Sequence, residues 1–76
     1  MTRLESFLGM NEIRPSHLAR EAGVNRQYIL RLRLGTTEPT RRMMVILVTA
    51  ARRILRRRVE VAEMFDLEEN GRIIPP

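Results

Sequence analysis

Apolar positions along the chain recur at helical spacing, in short runs cut by glycine and proline. Leu4, Phe7 and Leu8 stand at i, i+3 and i+4, which predicts a first helix over 3–10. Thr2 followed by Glu5 has the form of a capping box at its start. Pro15 suits a first helical position, and Leu18, Ala19 and Ala22 share a face, so a second helix is predicted over 15–22. Gly23 follows, where a left-handed residue would end it. A third helix is predicted over 26–34, with Asn25 as N-cap and Gly35 as terminator. Tyr28, Ile29 and Leu32 fall on one side of it, and Arg26, Gln27, Leu30 and Arg31 on the other.

The fourth segment, 40–55, follows Thr37, Glu38 and Pro39 and is the longest. Met43, Ile46, Leu47, Ala50 and Ile54 make one apolar face, and Met44, Val48, Ala51 and Leu55 an adjoining one. The run MMVILV would also read as a strand, but its length and the flanking AARRIL pattern favour a helix. A short fifth helix is predicted over 61–66, carrying Ala62, Met64 and Phe65. The pattern is that of an all-α fold of about five short helices. Residues 1–66 form one domain, and 67–76 an irregular tail with a turn signal at Asn70-Gly71. Ile73 and Ile74 in that tail are candidates for docking on a neighbour.

Composition narrows the chemistry. A chain of 76 residues has a thin core. The sequence holds no cysteine, which excludes disulfides, thiolate zinc sites and a thiol nucleophile. His17 is the one histidine, which argues against a histidine metal cluster or a Ser-His-Asp arrangement. No catalytic constellation, metal site or cofactor is expected. Residues 2–10 lack a long apolar stretch, and Met43–Val48 falls far short of the ~20 residues of a membrane span. A soluble, cytoplasmic protein that does not engage membranes is expected.

Charge adds direction. The net charge is +5, but residues 1–58 hold 13 Arg and 4 acids, whereas 59–76 hold 1 Arg and 5 acids. A basic body with an acidic tail suggests a polyanionic partner, nucleic acid first. All fourteen basic residues are Arg, a bias that a GC-rich genome would also produce.

The informative stretch is SHLAREAGVNRQYILRLRLG, Ser16 to Gly35. Two short helices are separated by Gly23-Val24-Asn25, with Ala19 four before Gly23 and Ile29 six after it. Helices crossing steeply approach closely, which needs a small residue at Ala19 and a residue tolerant of positive φ at Gly23. Val24, Ile29 and Leu32 then fill the corner. In these residues, and in Leu18 to Thr40 as a whole, the sequence resembles the helix-turn-helix regulators of the phage-repressor and Cro type, the XRE-like family. The Leu-Ala, Gly-Val and Leu-Arg-x-Gly elements, with Pro39 beyond, carry the likeness, which extends over about residues 2–66. Two departures stand out. The fourth helix is longer than usual, with Arg56-Arg57-Arg58 where a short turn often has glycine, and Pro15 replaces a polar contact residue.

The resemblance implies a lambda-repressor-like fold with a central helix-turn-helix, and sequence-specific binding of double-stranded DNA by a homodimeric transcriptional regulator. The third helix would enter the major groove. Arg26, Gln27, Leu30 and Arg31 match the base-reading positions: Arg forks to guanine, Gln pairs with adenine, and Leu30 suits a thymine methyl. Arg14, Ser16, Asn25 and Arg41 match positions that grip phosphates, and the start of the second helix also favours anions. Without the resemblance, Arg26, Gln27 and Arg31 read as an ordinary solvated face, and Leu30 as a dimer or crystal contact. Arg52, Arg53, Arg56, Arg57 and Arg58 have three roles open: a solvated helix end, pairing with Glu60, Glu63, Glu68 and Glu69, or a second phosphate patch. Pairing is preferred. The dimer surface is expected in helices 4–5 and the tail. The alternative function is a protein-interaction module, an antitoxin or adaptor, using those same helices.

Overall fold

In the computed structural model, which describes residues 2–66, the chain forms α1 (Arg3–Met10), α2 (Pro15–Ala22), α3 (Arg26–Leu34), α4 (Arg41–Leu55) and α5 (Val61–Met64). The described residues are all helix and connecting loop, with no strand. The first three helices have the predicted bounds. Thr2 caps α1 by accepting from the Glu5 N–H, and its hydroxyl donates to the Arg33 carbonyl at 2.6 Å, tying the start of α1 to the end of α3. Asn25 caps α3 by accepting from the Gln27 N–H at 2.7 Å.

Helix ends follow one rule. The positive-φ residues are Glu12, Gly23, Gly35 and Arg56, and each terminates one of α1 to α4. After α2, the Val24 N–H returns to the Ala19 carbonyl and the Gly23 N–H to that of Arg20, the paired bonds of a Schellman motif. After α3, Thr36 returns to Arg31 and Gly35 to Leu32 in the same way. After α1, Ile13 returns to Leu8 and Glu12 to Gly9. There Ile13 and Leu8 are both buried, supplying the apolar contact that usually accompanies the motif.

Two boundaries differ from the expectation. α4 begins at Arg41, because Thr40 is its cap and accepts from the Met43 N–H. α5 ends at Met64 instead of 66, because Phe65 takes an extended backbone that turns its ring into the core. The tail features at Asn70-Gly71, Ile73 and Ile74 lie outside the described residues, as do Glu68 and Glu69.

Leu18, Ile29, Leu47, Val59 and Met64 are the largest fully buried side chains, drawn from α2, α3, α4, the α4–α5 loop and α5. Fully burying a side chain of this size stabilises by about 1.5–3 kcal/mol, so the five together knit the helices. α2 packs on α3 and α4, α1 on α3 and α5, and α4 on α5. Ala19 is buried, as the close approach of α2 to its neighbours requires. On α4, Met44, Leu47, Val48, Ala50 and Ala51 are buried, and Met43, Ile54 and Leu55 pack against them. The two predicted apolar faces therefore merge into one that serves the chain's own core. Val45, 57% exposed, and half-buried Ile46 are what remain for a partner.

Candidate nucleic-acid interface

The outward side of α3 presents Arg26, Gln27 and Arg31 exposed, with Leu30 half-buried beside them. Leu34, 64% exposed, lies one turn beyond Leu30 on the same stripe. Sequence reasoning passed over Leu34 by treating it as a helix end. The i, i+4 step from Leu30 was the available signal. Arg31 stands close enough to Tyr28 for its charge to pull the phenol's pKa down, though burial dominates and the net shift is upward. Tyr28 thus stays a neutral packing residue at the edge of the face.

The four residues matched to phosphate contacts sit at helix starts. Arg14 is the N-cap residue of α2, Ser16 its second residue, Asn25 the N-cap of α3, and Arg41 the first residue of α4. All four are exposed. The Asn25 side-chain oxygen is occupied by the cap bond, which leaves its amide N–H group as the donor available outward.

Electrostatics separates these starts from the others. α1 and α5 carry an acid in the first turn, Glu5 and Glu63, as the positive end of the helix dipole favours. α2, α3 and α4 carry none. They carry Arg14, Arg26, Arg41 and Arg42 there instead, each opposed by the dipole, an effect of about 0.3–1 kcal/mol at an exposed site. The local rule is thus broken at three helix starts in one small domain.

The acids are placed elsewhere. Among the described residues four ion pairs form: Arg3–Asp66, Arg53–Glu21, Arg57–Glu63 and Arg58–Glu60. None involves Arg14, Arg20, Arg26, Arg31, Arg41 or Arg42. Arg20 and Arg42 join the exposed, unpaired set without having been singled out in the sequence. The arginines at the end of α4 do structural work. Arg52 Nε donates to the Val59 carbonyl at 3.0 Å, and Arg53 Nη2 donates to the Glu21 carbonyl at 2.7 Å. Arg57 also reaches Asn11, and Arg58 pairs within the cap of α5. Of the five arginines, Arg57 and Arg58 pair with Glu63 and Glu60, as preferred from sequence, whereas Arg53 pairs with Glu21 of α2, and Arg52 and Arg56 form no ion pair among the described residues.

Two further features bear on chemistry. Among the described residues no group of His, Asp or Glu could hold a metal ion. No helix among them is long and apolar enough to cross a membrane. Comparison of the chain with protein-family models, curated proteins and solved structures finds no match.

Proposed function

We propose that this chain binds duplex DNA in a sequence-specific manner, with α3 in the major groove, as a non-enzymatic cytoplasmic transcriptional regulator. Arg26, Gln27, Leu30 and Arg31 read bases, and Arg14, Ser16, Asn25 and Arg41 grip phosphates. The observation that supports this reading most is the set of unpaired arginines at the acid-free starts of α2, α3 and α4. A phosphate there would satisfy both the side chain and the helix dipole. The resemblance of Leu18–Thr40 to helix-turn-helix regulators points the same way. The regulator acts as a homodimer, since one recognition helix reads too few base pairs for a specific site.

Selection from random duplexes at physiological salt tests the reading. An enriched inverted repeat with half-sites one turn apart is expected. Absence of enrichment, with binding that vanishes as salt rises, overturns specific recognition and leaves a generic phosphate grip. On an enriched site, Arg26→Ala and Arg31→Ala each cost about 1–3 kcal/mol and relax specificity, whereas Arg14→Ala and Arg41→Ala weaken all sequences and lower the salt slope by about 1.

The second reading is a protein-interaction module, and exposed Val45 on α4 is what favours it. A partner captured from lysate that survives nuclease and is lost in Val45→Glu would move the weight there.

A further inference from the structure

Five acids stand in residues 59–76, and three of them are placed: Glu60 on Arg58, Glu63 on Arg57 and Asp66 on Arg3. Glu68 and Glu69 are left. The cations at the end of α4 and just beyond it are largely taken. Arg53, Arg57 and Arg58 already hold Glu21, Glu63 and Glu60, and Arg52 donates its Nε to the Val59 carbonyl.

The path of the chain out of α5 leads to the other end of α4. Asp66, held by Arg3, lines a small hollow together with Thr37, Glu38 and Pro39 of the α3–α4 turn. Arg41 and Arg42 follow Pro39 by two and three residues, and Glu68 and Glu69 follow Asp66 by the same two and three. Each step is at most about 7–10 Å of chain, so both pairs start from one hollow and lie within reach of each other. Arg52 and Arg56 stand roughly 15–20 Å further along α4.

The charges match. Arg41 and Arg42 are exposed and form no ion pair among the described residues. Glu38 is the single acid between Gly35 and Arg42, so this end of the domain stays net positive without the tail. Two arginines facing two glutamates complement one another in sign and number. Exposed pairs of this kind are weak and screened by salt, which suits a contact that must give way to a stronger anion.

We infer that Glu68 and Glu69 fold back onto Arg41 and Arg42 and occupy them until DNA phosphate takes their place. The acidic segment thus sets a threshold that a duplex must overcome, and sequences gripped by few phosphates are rejected first. This competition rests on the DNA-binding reading, whereas the contact itself does not.

A nitroxide on Asn70→Cys, the single thiol in an otherwise cysteine-free chain, tests the contact in the full-length protein. At low salt the label broadens the backbone amide signals of Arg41 and Arg42 more than those of Arg52 and Arg56. The tether alone brings the label near, so the deciding sign is relief of that broadening in Glu68→Gln/Glu69→Gln and at about 1 M salt, where screening acts within ~3 Å. Without a label, the same double variant shifts the Nε–H signals of Arg41 and Arg42. For the competition, Glu68→Gln/Glu69→Gln binds a random-sequence duplex about two- to tenfold more tightly at low salt. That gain disappears when Arg41→Gln and Arg42→Gln are added. Broadening that neither salt nor the Gln variant relieves, or broadening centred on Arg52 and Arg56, would overturn the contact. A gain of equal size with and without Arg41 and Arg42 reports net charge alone and would overturn the competition. No duplex binding by any variant would sink the DNA-binding reading, and the label then decides the contact by itself.

Discussion

Gly9 and Gly23 offer a controlled comparison of backbone conformation, because a Cβ added at either meets no heavy atom within 4 Å. Neither Gly9→Ala nor Gly23→Ala gains or loses packing, so the backbone decides both outcomes. Gly9 lies in the last turn of α1 with ordinary helical geometry. Alanine there is favoured over glycine by about 0.5–1 kcal/mol. Gly23 sits at φ 72° in the turn that sets α3 against α2. Alanine in that region loses about 1–2 kcal/mol to the clash of Cβ with the carbonyl. The stiffer unfolded chain returns about 0.4–1 kcal/mol of this. The net is a destabilisation near ~1 kcal/mol, and the two variants should differ by about 1.5–2 kcal/mol. In a domain of this size that separates their melting temperatures by about 10 °C, Gly9→Ala above the parent and Gly23→Ala below it. Thermal and urea melts followed by circular dichroism measure it, with an unchanged urea slope as the sign that only stability has moved. Gly23→Asn, which tolerates the left-handed region, should recover part of the loss. Shifts in the same direction, or a gap under about 0.3 kcal/mol, would refute the assignment of Gly23 as a conformational requirement.

Ala19→Leu adds bulk where α2 meets its neighbours and should destabilise by about 1–3 kcal/mol in the same melts; a neutral result would mean the helices do not approach closely there. Thr40→Ala removes the bond to the Met43 N–H and should cost about 0.5–2 kcal/mol, measured by urea denaturation, with Thr40→Ser restoring most of it. Glu63 accepts from the Glu60 N–H and from Arg57, which hold its pKa below the ordinary glutamate value. A depressed pKa stabilises the fold above the unfolded-state value, and the contribution fades as pH falls through the folded one. The melting-temperature gap between the parent and Glu63→Gln should therefore be constant near neutrality and shrink in acid; a gap that widens in acid would contradict the assignment.

The bounds of α1, α2 and α3 were legible because the residues that start and stop them have one physical use each. Thr2 and Asn25 cap, Pro15 opens a helix, and Gly23 and Gly35 take the left-handed conformation. Glu12 and Arg56 take the same conformation without any signal in their residue type. The tertiary fold imposes it, through the burial of Ile13 against Leu8 in one case and of Val59 in the other. The brevity of α5 was hidden for a related reason: Phe65 leaves the helix to reach the core, a choice made by neighbours far along the chain. On α4 the sequence displayed more apolar residues than one face can hold, and only the packing against α2 shows which are used. The exposed arginines of α3 were legible from the wheel. Arg33 was not, although its position four residues after buried Ile29 places it on the inward side. An arginine there reads as solvated until the burial of its Nε is seen.

The methionines of the fold are graded in depth: Met10 open, Met43 partly covered, Met44 buried and Met64 wholly enclosed. Sulfur oxidation turns that gradient into a built-in footprint. Under mild peroxide the sulfoxide forms first at Met10, at a rate set by the reagent and with the helices intact. Met64 can be oxidised only while α5 is lifted, and α5 is fastened by its cap, by the ion pairs Arg57–Glu63 and Arg58–Glu60, and by Arg3–Asp66 just past its end. The ratio of the two sulfoxides by mass spectrometry thus counts the openings of the smallest helix against an internal clock. Added salt, which screens those pairs, should speed the second reaction and leave the first unchanged.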